Sequence, residues 1–110
     1  MADFEKYQGE SLAFKRGLQI DGVDENLTAG WTCRLVVKPL SGGLSGTASI
    51  DKAITEQSDT NTRFVVRITP TEMAGLDVGQ YHVITEMINA ASGINDESHN
   101  HLTVTEQGAA

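Results

Sequence analysis

A chain of 110 residues with 39% apolar and 21% charged side chains has the size and make-up of one folded domain, which excludes a disordered polymer. Its net charge of −7 argues against nucleic acid and anionic lipid as partners, because only Lys15 and Arg16 among 8 basic residues adjoin. A single cysteine, Cys33, excludes an internal disulfide and suits folding in a reducing cytoplasm.

The opening residues, Met-Ala-Asp-Phe-Glu-Lys, have no basic segment followed by an apolar core, so no signal peptide is expected there. No apolar run approaches the ~20 residues that span a bilayer. The whole of 1–110 reads as a single domain, with residues 1–3 and 107–110 as flexible ends.

Period two governs the chain. A first strand is expected near Phe4 to Gln8. Residues 11 to 20 then place Leu12, Phe14, Leu18 and Ile20 on even positions, interrupted by Arg16. Asp21-Gly22 and Asn26 to Gly30 supply turn chemistry before the next run. There Trp31, Cys33, Leu35 and Val37 share one face, with Thr32 and Arg34 opposite. The segment PLSGGLSG, Pro39 to Gly46, reads as an exposed loop. Ala48, Ile50 and Ile54 share a parity, and after a turn at Ser58 to Asn61 so do Phe64, Val66 and Ile68. Alternation of this kind marks strands with one buried and one wet face.

One helical signal interrupts the pattern. Thr69 can cap a turn, Pro70 suits its first position, and Glu72 can complete a capping box. Met73 and Leu76 would face inward, and Gly75 and Gly79 limit the helix to a single turn. Tyr81, Val83 and Met87 then alternate with His82 and Glu86. Ala90 to Ser98 is expected to be a loop before a last strand carrying Leu102 and Val104. Six or seven short strands at this spacing predict an all-β, antiparallel β-sandwich.

Asp77-Val78-Gly79-Gln80-Tyr81 lies where an immunoglobulin-like sandwich has its tyrosine corner, the hydroxyl returning to upstream backbone while the ring packs in the core. Gly79 would permit an unusual backbone conformation or a close approach. Trp31, Asp77, Gly79 and Tyr81 are therefore assigned structural roles, with ligand binding by Tyr81 as the competing reading. Cys33 has inward parity, which favours an inert buried thiol over a nucleophile.

The metal candidates are weak. His99 and His101 project to one face of a strand, but two ligands need help from a carboxylate or a symmetry mate. Asp21, Asp24, Glu25 and Asn26, and also Asn95, Asp96 and Glu97, lack the spacing of a calcium loop and read as solvated loops. Gly42, Gly43 and Gly46 are not followed by the Lys-Ser/Thr of a phosphate loop. No catalytic residue, metal or cofactor is assigned, and a non-enzymatic protein is expected.

Three segments, "NLTAGWTCRLVVKP", "FVVRITPTEMAGLDVGQYHVITEM" and "HLTVTE", resemble small immunoglobulin-like structural proteins of tailed bacteriophages. The likeness spans about residues 10 to 106, and Ala29 departs from the usual Leu-Thr-Gly start of the first segment. The resemblance implies an immunoglobulin-like sandwich of about seven strands, with one short helical turn before the tyrosine-corner strand. It also implies a virion protein of the tail, baseplate, neck or capsid surface, made in the bacterial host cytoplasm. Other virion proteins and copies of itself in a symmetric assembly would be its partners. A small-ligand or carbohydrate-binding β-sandwich is the alternative.

Overall fold

The structure, a computed structural model, describes residues 3–28, 30–43, 45–58 and 60–106. The expected flexible ends at 1–2 and 107–110, and the Ala29 departure, lie outside them; Asp3 belongs to the first strand. The protein is mainly β, with nine strands in several sheets, one short helix and a 3-10 turn among the described residues.

Five strands form the larger sheet: β1 (Asp3–Tyr7), β5 (Trp31–Pro39), β6 (Ile50–Ile54), β8 (Gly79–Asn89) and β9 (Ile94–Thr105), in the order β1-β9-β8-β5-β6. β2 (Leu12–Gly17) and β7 (Arg63–Ile68) form a two-stranded sheet, and β3 (Gln19–Ile20) pairs with β4 (Val23–Asp24) in a small flap. The pairing is not wholly antiparallel. β1 runs parallel to β9, with Phe4 beside Leu102, so the chain must leave that edge and cross to β2 in the other sheet.

The alternation read from the sequence sets the inward faces. Cys33, Leu35 and Val37 of β5, Val83 and Met87 of β8, and Leu102 and Val104 of β9 are buried. Phe64, Val66 and Ile68 of β7 join them in one core cluster with Leu12 of β2. Full burial of such a side chain contributes roughly 1.5–3 kcal/mol. An exposed ion pair such as Arg67–Glu56, with Nε–Oε1 of 2.8 Å, is screened by water and contributes far less. Burial, not surface charge, decides the fold.

Both ends of the core are closed by side chains from outside the two larger sheets. At the Trp31–Asn89 end sits Leu27, whose N–H donates to the Asn61 carbonyl at 2.7 Å and whose carbonyl accepts from Gln57 Nε2 at 2.8 Å. The opposite end is closed by the buried Met73 and Leu76, presented by α1 (Pro70–Ala74) and the turn after it. The helix begins with the capping box that the sequence foretold. Glu72 N–H donates to Thr69 Oγ1 at 3.1 Å, and Thr69 N–H donates to Glu72 Oε1 at 3.0 Å. Lys52 Nζ donates to the same Oε1 at 2.7 Å, which ties β6 to the helix.

Three local expectations change. The even-numbered run ends at Leu18, and Ile20 is 39% exposed rather than buried. Its flap pairs with neither of the other sheets, and Ile20 and Val23 both stay exposed. The loop expected over Ala90 to Ser98 shrinks to the four residues 90–93, so Asn95, Asp96 and Glu97 are on β9. Asn89 tightens this turn, its Oδ1 accepting from the N–H groups of Ala91 and Ser92, each at 3.1 Å. Ala48 precedes β6 and is half-buried on the outer side of the sheet instead of sharing the inward parity of Ile50.

Arg16, the polar interruption of the even-numbered run, does point inward. Its guanidinium donates from Nε to Thr85 Oγ1 of β8 at 3.0 Å and from Nη1 to the Gly17 carbonyl at 2.6 Å. Nη2 forms an ion pair with Asp96 of β9. One side chain thus joins the two sheets, and it satisfies the hydroxyl of Thr85, which is fully buried. Arg16→Ala should cost about 2 kcal/mol, since a buried hydroxyl and a charge-assisted bond lose their donor together. Asp96→Asn should cost less than about 1 kcal/mol, because that partner is 41% exposed on its side chain. Urea denaturation of the two variants checks the order, and equal costs would refute the cross-sheet role.

Candidate functional site

Tyr81 stands at the junction of the helical turn and β8. It is buried, and its Oη donates to the Asp77 carbonyl oxygen at 2.7 Å. Burial of the ring and the nearby Asp77 charge push the phenol above its ordinary value, so it remains a hydrogen-bond donor at neutral pH. Asp77 takes part through its backbone, so the bond itself does not call for an aspartate. Gly79 has a φ of 154°, which L side chains rarely adopt, while the space beside it is open. Of the two reasons for a glycine here, backbone conformation is the operative one.

Trp31 is buried at the head of β5, opposite Asn89. Cys33 is buried two residues on, and burial pushes its thiol up to about 11 despite the opposing pull of Arg16. A thiol held that high is protonated at neutral pH and lacks the thiolate that nucleophilic attack requires.

The oxygen-rich segments are engaged in local bonds. Asp21 and Gly22 form the tip of the β3–β4 flap with φ values of 52° and 79°. Asp24 Oδ1 accepts from Gln19 Nε2 at 3.0 Å, and Asn26 Oδ1 accepts from the Thr28 N–H at 3.0 Å. Asp96 turns toward Arg16, while the alternation of β9 places Glu97 on the other face.

That other face is the outer side of the five-stranded sheet, which no second layer of strands covers among the described residues. Its middle holds a shallow depression of about 430 Å³, where Val36, Ala48 and Ile84 meet the loop at Gly46. Arg34 and Asp51 form its margin as an ion pair with Nε–Oδ1 of 2.7 Å. The hydrogen bond from Arg34 holds the Asp51 carboxyl below its usual value. An apolar floor with fixed charges at the rim suits contact with another protein surface.

Beside the depression lie three histidines. The sequence paired His99 with His101 on one strand; the sheet adds His82, which the β8–β9 register sets directly opposite His101. The His82 and His101 ring centroids are 5.5 Å apart, inclined at 59°. His99 Nε2 contacts Glu97 Oε1 at 2.5 Å, and His101 Nδ1 lies 3.9 Å from Asp3 Oδ1. Among the described residues, no three His, Cys, Asp or Glu side chains converge in positions that would hold a metal ion. His82 titrates below its ordinary value because of partial burial, then its neighbours His101, His99 and Lys38. Its outward parity was readable from the sequence, but its opposition to His101 was not, because register depends on the length of the 90–93 turn.

No protein-family model and no curated protein matches this chain.

Two outcomes follow from this geometry. Tyr81→Phe should lower stability by ~1 kcal/mol, the worth of one hydroxyl bond, as read by urea melts. No change would mean that the Asp77 carbonyl is equally well served by water. For His82, the folded chain binds its proton less readily than the unfolded chain does. Stability from this group is therefore present above about pH 6.5 and lost as pH falls through the lower folded value. Melts of His82→Gln between about pH 7 and about pH 5 should show a shallower loss than the parent. Equal slopes would exclude His82 as the source.

Proposed function

We propose that the chain is an immunoglobulin-like β-sandwich serving as a non-enzymatic structural or assembly protein in the particle of a tailed bacteriophage. It is made in the host cytoplasm, becomes part of the virion, and acts through contacts with other virion proteins and with its own copies in a symmetric assembly. The observation that carries this reading is how the segments of resemblance fall on the fold. The first leads into β5, the second runs through β7, α1, the Asp77–Tyr81 bond and β8, and the third lies on β9.

The sandwich reading is supported by a β2–β7 sheet that shares one core with the β1-β9-β8-β5-β6 sheet. The uncovered outer face offers area for protein contact. The alternative, a small-ligand or carbohydrate-binding sandwich, has less behind it. A sugar platform needs exposed rings. Among the described residues Tyr7, at 54%, is the aromatic counted with the exposed large apolar side chains. Phe4 and Phe14 instead stack on each other at 5.1 Å beside the core.

Quantitative mass spectrometry of purified particles encoded by the same genome, with light scattering of the isolated chain, tests the proposal. The chain should occur at a fixed copy number per particle and self-associate in solution. A strict monomer absent from the particles would overturn it.

A further inference from the structure

We propose that His82 and His101 form a two-imidazole chelate for a divalent transition-metal ion of the zinc, nickel or copper type. The pair is held by backbone: His82 and His101 are register partners in the middle of the larger sheet, on two long strands paired from Gly79–Val104 to Asn89–Ile94. Both side chains project from the outer face, where water can complete the coordination.

The spacing suits one shared ion. With a metal–nitrogen distance of about 2.1 Å and near-tetrahedral angles, the centroids of two imidazoles on one ion lie roughly 5 Å apart. The observed 5.5 Å is within a small side-chain adjustment of that value. Imidazole nitrogen favours these ions over calcium or magnesium, which prefer oxygen.

The surrounding charge divides in an informative way. Lys38 opposes a cation near His82, whereas Asp3, 3.9 Å from His101, favours one. Among the described residues no third His, Cys, Asp or Glu converges with the pair, so His99 stands outside the chelate. The pair that the strand alone suggested, His99 with His101, is thereby replaced by a pair across two strands.

Nickel chloride titrated into the tag-free chain provides the test, by calorimetry and by paramagnetic broadening of backbone amide signals. One ion per chain is expected, with broadening centred on residues 82 and 101 and binding lost at about pH 5, where imidazoles take up protons. His82→Asn and His101→Asn should each weaken binding at least about tenfold, while His99→Asn leaves it little changed. All three positions are on the outer face, and heat melts verify that each variant folds. The chelate is refuted by an absence of binding up to millimolar nickel. It is equally refuted if His99→Asn abolishes binding and His82→Asn does not.

Discussion

A sheet of two strands must cover the inner face of a sheet of five. β2 and β7 supply Leu12, Phe64, Val66 and Ile68, which cannot shield every inward side chain of β1, β9, β8, β5 and β6. The shortfall is met in part by pieces that are not strands of either sheet. Leu27 closes one end, and Met73 and Leu76 close the other. Phe4 and Phe14 stack where β1 and β2 approach each other. Arg16 fills the remaining gap with a charge, tolerable because Thr85, Gly17 and Asp96 satisfy its donors. Among the described residues, no buried side-chain nitrogen or oxygen is left without a partner.

The outer face of the larger sheet is turned away from this core. There a strand's polar positions must meet water or another protein, and they carry the depression at Val36 and Ile84 and the histidines of β8 and β9. The inner face, by contrast, offers little chemistry. Its thiol is held protonated by burial, and its tyrosine hydroxyl is committed to the Asp77 carbonyl. The chemically available groups therefore belong to a broad, open surface.

Several features were legible residue by residue. The inward parities of β5, β7 and β8, the Thr69–Glu72 capping box and the position of Tyr81 rest on interactions within a few residues or on period-two alternation. Long-range features were not legible in the same way. Arg16 looked like an interruption until Thr85 and Asp96, far along the chain, were placed against it. Ile20 matched the inward parity but sits on the flap and stays exposed. The polar run from Asn95 to Ser98 looked like loop because strand patterning weakens where neither face lies wholly in the core.

By itself, then, the sequence determined which face of most strands is buried, where the helical turn begins, and why the chain cannot form an internal disulfide. These follow from side-chain polarity, local backbone geometry and composition. Tertiary structure alone decided that β1 joins β9 in parallel, that Arg16 binds two sheets together, and that His82 stands opposite His101. Register, edge order and sheet stacking are set by contacts between distant residues, whose free energy depends on turn length and on which surfaces remain to be covered. No periodicity within one strand records them.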